Sequence, residues 1–183
     1  MHIHQLSVSH DDRQDRLLLR LNTQDSQEFH FWLTRRMVAR LLPAMGHSLV
    51  KLEASQPGVA AADANSQRIL TEIKREAFLQ NADFTTPYTS KPGPYPLGSQ
   101  PLLVTDAQLS LQPSGSLQVV FQEKNGDSAH SCHLNLQAPL LHGLIHLLHQ
   151  TIAKADWGLS SPLMHEDSAS EPFSDTNPAP YKH

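Results

Sequence analysis

The feature that most constrains this chain is a short alternating strand that runs directly into an amphipathic helix, within residues 28–52. Phe29, Phe31 and Leu33 alternate with outward residues, which is the period of a strand with one buried face. The pattern then changes to the spacing of a single apolar stripe on a helix. Thr34 stands between the two patterns and is a good N-cap, because its hydroxyl can accept a hydrogen bond from a first-turn amide.

The same strand-into-helix pattern returns in the second half of the chain. The two helical stripes have identical spacing: Met37, Val38, Leu41, Leu42, Met45 and Leu49 in the first, and Leu140, Leu141, Leu144, Ile145, Leu148 and Ile152 in the second. The strands repeat as well: Phe29, Phe31 and Leu33 match Cys132, Leu134 and Leu136, and Leu6 and Val8 match Leu109 and Leu111. We therefore predict an internal duplication and an α+β fold of two β-β-β-α units with antiparallel strands, in one larger sheet or two small sheets.

The length of 183 residues suits one ordinary domain. We predict a single domain over residues 1–159, with repeat one at 1–52, a linking helix and a Pro-rich strap at 53–101, and repeat two at 102–159. Residues 160–183 are rich in Ser, Pro, Asp and Glu, which is typical of a disordered tail.

The linking helix is expected from about residue 65 to residue 81, with an inner and an outer side. The predicted inner side carries Ile69, Leu70, Ile73, Ala77 and Phe78, and the predicted outer side carries Glu72, Lys74, Arg75 and Glu76.

Prolines mark two further features. Pro43, together with Gly46, predicts a kink or break of the first helix near Leu42. The strap at residues 83–101 combines several prolines with Phe84, Tyr88 and Tyr95. We expect it to lie extended across the domain with its rings docked. The alternative is a partner-binding segment, since loops of this length are often functional.

Composition restricts the compartment and the class of partner. The net charge of −4, with histidines neutral, does not recruit nucleic acid or acidic membrane in bulk. A single cysteine, Cys132, excludes an internal disulfide and fits a reducing compartment. The first residues lack a basic start and an apolar run, and no stretch has the length of a membrane span. We expect a cytoplasmic protein with no membrane partner.

No catalytic pattern is present in the sequence. There is no G-x-S-x-G elbow, P-loop or G-x-G-x-x-G, so we expect neither an enzyme nor a bound cofactor.

His142, His146 and His149 project from one side of the last helix, and an i, i+4 pair such as His142 and His146 can chelate a metal. No acidic residue accompanies them on that helix, so packing at the rim of the core is the favoured interpretation and a metal site the weaker alternative. Cys132 is read as a small buried hydrophobe.

A local basic and aromatic patch is the main candidate for binding. Arg35, Arg36 and Arg40 lie on the first helix, and Trp32 lies on the outer face of the strand before it. Such a patch can stack and neutralise a single-stranded nucleic acid, and folds of the PUR and whirly type bind single strands on comparable sheets, which is an analogy of topology. The second repeat lacks these groups. The competing interpretation is that the linking helix or the strap covers Trp32.

Three stretches together resemble a family of uncharacterised bacterial proteins of about this length: W-L-T-R-R at 32–36, P-L-L-V-T at 101–105 and L-L-H-G-L-I-H-L-L at 140–148. The resemblance covers nearly all of the chain except the tail. It implies a bacterial cytoplasmic origin, and it carries neither an activity nor functional residues over to this chain.

The sequence therefore favours a non-enzymatic interaction or adaptor protein that binds a protein partner through the region of Trp32, Arg35, Arg36 and Arg40. Single-stranded nucleic-acid binding at the same patch is the first alternative, and histidine-based metal binding is the second.

Overall fold

The computed structural model describes residues 2–55, 63–90, 93–125 and 128–159. The predicted tail at 160–183 lies outside the described residues. The elements in chain order are β1 (Ile3–Asp11), β2 (Arg16–Thr23), β3 (Glu28–Thr34), α1 (Arg35–Ala54), α2 (Ala64–Asn81), β4 (Leu102–Leu103), β5 (Asp106–Gln112), β6 (Ser116–Asn125), β7 (Ser128–Leu136) and α3 (Ala138–Lys154). The predicted α+β class is confirmed, and the order β-β-β-α occurs on both sides of the linking helix. That the two units are an internal duplication stays a prediction.

The strands form two separate sheets. The first has the order β1-β2-β3-β4, and the second has the order β5-β6-β7. All pairings within the two units are antiparallel, whereas β4 runs parallel to β3, with Phe31 opposite Leu102 and Trp32 opposite Leu103. Residues 102–103, which we expected to open the second unit, therefore complete the sheet of the first.

One part of the predicted correspondence between the units is wrong. In the first sheet, Leu6 and Val8 of β1 face Leu21 and Leu19 of β2. In the second sheet, the residues opposite Phe121 and Val119, which correspond to Leu21 and Leu19, are Ala107 and Leu109. The predicted correspondence had placed Leu109 and Leu111 there. Leu111 instead faces Leu117 and is 43% exposed. The connections between the strands differ in length in the two units, which shifts the correspondence by two residues.

The core lies between the two sheets and under the two long helices. Alternate residues of β2 and β6 are fully buried, as the period of a half-buried strand requires: Leu17, Leu19, Leu21, Leu117, Val119 and Phe121. The rings of Phe31 and Phe121 lie 5.1 Å apart between their centroids and join the inner faces of the two sheets. Both predicted helical stripes are buried or partly buried in this core.

Each long helix packs mainly against the sheet of the other unit. α3 packs against β1, where the hydroxyl of Thr151 lies 3.3 Å from the carbonyl of Val8. α1 packs against β5 and β6, and the two helices also pack against each other. The units are therefore interlocked through their helices.

Local capping agrees with the sequence, and of the kink or break predicted near Leu42, the break is wrong. The hydroxyl of Thr34 accepts from the amide of Met37 at 3.2 Å and caps α1. α1 then continues through Pro43 to Ala54. The carbonyl that Pro43 leaves without a donor belongs to Ala39, which is exposed. Water can therefore replace the missing hydrogen bond.

The linking helix is turned differently from the prediction. Ile69 and Ile73 are 53% and 56% exposed, and the one buried residue of α2 is Thr71. Lys74, expected outside, is bonded to the buried carboxylate of Glu53 on α1. Phe78 is at the same side of α2, where its ring lies over His142 of α3. The ion pair and the aromatic contact thus decide which side of α2 faces the domain.

The strap lies against the outer face of the first sheet, as expected. The hydroxyl groups of Tyr88 and Ser90 donate to the buried carboxylate of Glu28 at 3.0 and 2.7 Å. The guanidinium of Arg20 lies 4.7 Å from the centre of the Tyr88 ring, and Tyr95 packs edge-on against His30. These contacts give the strap a structural role.

Candidate interaction surface

Trp32 lies on the outer face of the first sheet, next to the end of β3. It pairs with Leu18 of β2 and with Leu103 of β4, and all three side chains are half-buried. The described contacts of the strap fall on a neighbouring part of this face, around Glu28 and His30. Trp32 is therefore neither fully covered nor fully open.

A shallow depression of about 200 Å³ lies beside Trp32, between the start of α1 and the chain that leaves β4. It is lined by Thr34, Arg36, Met37, Arg40, Leu103, Val104 and Thr105. The amide of Val104 donates to the carbonyl of Trp32 at 3.0 Å and fixes one wall to β3. Leu103 belongs both to the depression and to the sheet face that carries Trp32.

Arg36 and Arg40 provide the charge at this depression. They are one helical turn apart on α1, so their side chains lie next to each other. Both are exposed, and neither makes an ion pair within the described part of the chain. We call the depression, with Arg36, Arg40 and Leu103 in its lining, together with the neighbouring Trp32 that pairs with Leu103, the interaction surface.

The acidic residue that follows Thr105, Asp106, is paired with a lysine. The carboxylate of Asp106 accepts from the hydroxyl of Thr105 at 3.0 Å and pairs with the ammonium of Lys124 at 3.2 Å. These two interactions lower the pKa of Asp106 below its usual value. The charge of Asp106 is thus compensated by Lys124, and the positive charge of Arg36 and Arg40 remains available to a ligand.

Arg35 has a different role from the two arginines beside it. Its guanidinium donates to the carbonyl of Trp157, which follows α3. The indole nitrogen of Trp157 in turn donates to the carboxylate of Asp15 at 2.6 Å, and the His10 ring packs edge-on against the indole. Arg35 therefore ties the start of α1 to the end of α3 and lies at the border of the interaction surface.

The second unit offers no equivalent surface. Asn135 stands where the first unit has Trp32, and Ala138 and Pro139 stand where it has Arg35 and Arg36. The aromatic and basic groups are therefore confined to one unit, as the sequence indicates.

The histidines of α3 lie in an aromatic cluster. The ring of His142 stacks on Phe78, and the ring of His146 lies 4.7 Å from that of Phe84. Burial lowers the pKa of both histidines. Among the described residues, no three His, Cys, Asp or Glu side chains come together in a way that would hold a metal ion. The predicted pair His142 and His146 is thus packed against two different aromatic rings.

Cys132 occupies a core position. Its side chain is buried, and burial raises the pKa of its thiol to about 11. The thiol is therefore protonated at neutral pH and a poor nucleophile.

The structure adds Leu103 and Thr105 to the residues that the sequence had indicated. Their stretch reads as a strand of the second unit, and only its parallel pairing with β3 brings it beside Arg36 and Arg40.

Comparison with known proteins gives no relative: no family model, curated protein or solved structure matches this chain. None of the helices in the described ranges combines the length and apolarity that crossing a bilayer requires.

Proposed function

We propose that this chain is a non-enzymatic interaction protein that binds an acidic segment of a protein partner through the interaction surface. The observation that carries the proposal is the position of Arg36 and Arg40. The two guanidinium groups flank a depression beside the half-buried Trp32 and make no ion pair within the described residues.

The chemistry of the surface favours a carboxylate-bearing ligand. A guanidinium presents a planar fork of donors that matches a carboxylate with two parallel hydrogen bonds. Two such groups one turn apart on a rigid helix can hold two acidic side chains of one segment. Trp32 and Leu103 add a partly exposed apolar area, and aromatic residues beside arginine are frequent anchors at protein interfaces.

The attraction has to be local, because the chain as a whole carries a net charge of −4. Exposed charges further apart than the Debye length of about 8 Å at physiological ionic strength are largely screened. The affinity should therefore fall with added salt, yet the apolar contact of Trp32 should keep part of it.

The test is fluorescence anisotropy with two labelled probes, a peptide of alternating glutamate and leucine and a single-stranded oligothymidine. The wild type is compared with the Arg36→Ala/Arg40→Ala variant. The matched control is Arg13→Ala/Lys51→Ala, which removes the same charge from two exposed positions elsewhere. We expect the first variant to bind the acidic peptide at least tenfold more weakly, a loss of about 1.4 kcal/mol, and the control to bind like the wild type.

Two outcomes would contradict the proposal. Equal loss in both variants would mean that binding follows net charge alone. Stronger binding of oligothymidine than of the peptide, lost in Arg36→Ala/Arg40→Ala and falling steeply with salt, would instead identify a single-strand nucleic-acid protein.

A further inference from the structure

The strands β3 and β7 occupy the same place in their two sheets. Each is the third antiparallel strand of its unit, and each leads into a long helix. Their inward residues correspond, because Phe31 and Leu134 are both fully buried. One side of each strand pairs with the middle strand of its unit. The two strands differ in what pairs with their second side, which is the edge facing away from that middle strand.

The second side of β3 is covered by residues 94–104 of the same chain, which turn between Tyr95 and Gly98 and pair with β3 as a strand at Leu102–Leu103. The amide of Glu28 donates to the carbonyl of Pro94 at 3.2 Å, and the amide of Val104 donates to the carbonyl of Trp32 at 3.0 Å. Between these bonds, β4 runs parallel to β3. The covering segment, residues 94–104, has the sequence P-Y-P-L-G-S-Q-P-L-L-V and contains no charged side chain.

The second side of β7 has no strand partner in the described ranges, where β7 pairs with β6 alone. β7 is nine residues long, S-A-H-S-C-H-L-N-L, without lysine, arginine, acid or proline. Soluble proteins usually protect an edge strand of this length with a charge, a proline or a covering element. β1, the edge strand of the first sheet, packs against α3, where the hydroxyl of Thr151 lies 3.3 Å from the carbonyl of Val8 while it donates to the carbonyl of Leu147 at 2.8 Å.

The backbone groups available at this edge follow from the correspondence with β3. Glu28 and Trp32, which bond the covering segment, alternate with the inward residues Phe29, Phe31 and Leu33. The residues that alternate in the same way with the inward residues of β7 are Ser131, His133 and Asn135, and all three have exposed side chains. Their amides and carbonyls should face a strand added at this edge.

We propose that β7 is a strand-addition site for an extended, uncharged, leucine- and proline-rich segment of a partner protein. The segment would run parallel to β7, as Leu102–Leu103 run along β3. Main-chain hydrogen bonds supply affinity in this mode of recognition. The neutral edge of β7 offers no counter-charge to a charged segment, which favours an uncharged one.

The test uses the full-length, isotopically labelled protein and a synthetic peptide with the sequence of residues 93–104. Amide shifts are followed by nuclear magnetic resonance during the titration. We expect saturable shifts at Ser131, His133 and Asn135. The matched control is the same peptide methylated on the nitrogen that corresponds to Val104. It lacks the donor for the strand carbonyl, and we expect at least tenfold weaker binding.

A variant of the protein, in place of a modified peptide, tests the same site. His133→Pro removes an amide that faces the free edge, so it should abolish the shifts, whereas Arg36→Ala/Arg40→Ala should leave them unchanged. If His133→Pro fails to fold, the comparison of the unmodified and the methylated peptide on the wild-type protein still tests the proposal. No shift at β7 up to millimolar peptide, equal binding of both peptides, or shifts confined to β3 would overturn the proposal. Shifts at β7 that depend on protein concentration without peptide would assign the edge to a second copy and also overturn it.

Discussion

Glu53 of α1 and His142 of α3 lie side by side where the three helices meet, with Oε1 of Glu53 3.5 Å from Nε2 of His142. Both side chains are almost completely buried. Glu53 is also paired with Lys74 of α2. Neither ring nitrogen of His142 has a hydrogen-bond partner within the described residues. Burial of an imidazole whose nitrogens form no hydrogen bond favours the neutral form of the ring.

The first prediction concerns acid stability. Burial lowers the pKa of His142, although the charge of Glu53 partly opposes this. The folded protein therefore binds a proton at His142 less readily than the unfolded chain. Stability from this residue is present above the unfolded pKa of about 6.5 and is lost as the pH falls below it. We expect His142→Phe to lose less stability between pH 7.5 and 5.5 than the wild type, as measured by urea unfolding.

At pH 7.5 the same variant should differ from the wild type by less than about 1.5 kcal/mol, since phenylalanine is close in shape to histidine and can stack on Phe78. His146 and His149, whose pKa values burial also lowers, should retain part of the acid sensitivity. The control is His47→Phe at an exposed position of α1. An unchanged pH dependence in His142→Phe would contradict the prediction.

The second prediction concerns the carboxylate under the strap. Glu28 is buried and accepts hydrogen bonds from His30, Tyr88 and Ser90. Burial opposes its charge, yet these three hydrogen bonds outweigh burial and lower the pKa of Glu28. We expect Glu28→Gln to lower the free energy of unfolding at neutral pH by about 2 kcal/mol, because hydrogen bonds to a charged group are lost. Urea unfolding measures this loss.

Because the strap is held by Glu28, the variant should also be cleaved faster within residues 83–101 by a protease at low concentration. Glu76→Gln on the exposed side of α2 is the matched control and should stay within about 0.5 kcal/mol of the wild type. Equal stability of both variants would show that the contacts of Glu28 do not hold the strap.

The third prediction separates two neighbouring arginines. Arg35 donates to the carbonyl of Trp157, whereas Arg36 has no such bond within the described residues. We expect Arg35→Met to destabilise the protein by about 1 kcal/mol, the usual net contribution of a hydrogen bond. Arg36→Met should change stability by less than about 0.5 kcal/mol. Tryptophan fluorescence during urea unfolding measures both, and the reverse order of effects would contradict this assignment.

Periodicity was sufficient to predict the strands and long helices. Leu17, Leu19 and Leu21 show the two-residue period that a half-buried strand requires, and Thr34 marks the start of α1 through its hydroxyl. These signals are local. The pairing of Leu102 with Phe31 is not local, because a parallel pairing over this separation leaves no mark in the sequence near either residue.

The same limit applies to polar residues inside the fold. Lys74 was expected on the outer side of α2 and His142 at the rim of the core, yet Lys74 pairs with Glu53, and both Glu53 and His142 are buried. Ile69 and Ile73 were expected inside and lie outside. The side of α2 that faces the domain carries the ion pair of Lys74 with Glu53 and the ring of Phe78 over His142. At the interaction surface, Trp32 and the arginines were identifiable from the sequence, whereas the wall formed by Leu103 and Thr105 was not.

The exchange of helices between the units also affects how the chain acquires its structure during synthesis. β1 packs against α3, which leaves the ribosome after every other helix of the described ranges. The first unit therefore emerges with its leucine-rich face open to the surroundings until α2, the second sheet and α3 have been made. Exposed apolar strands are prone to associate with other chains. A growing polypeptide of this kind depends on shielding from its neighbours until α3 arrives.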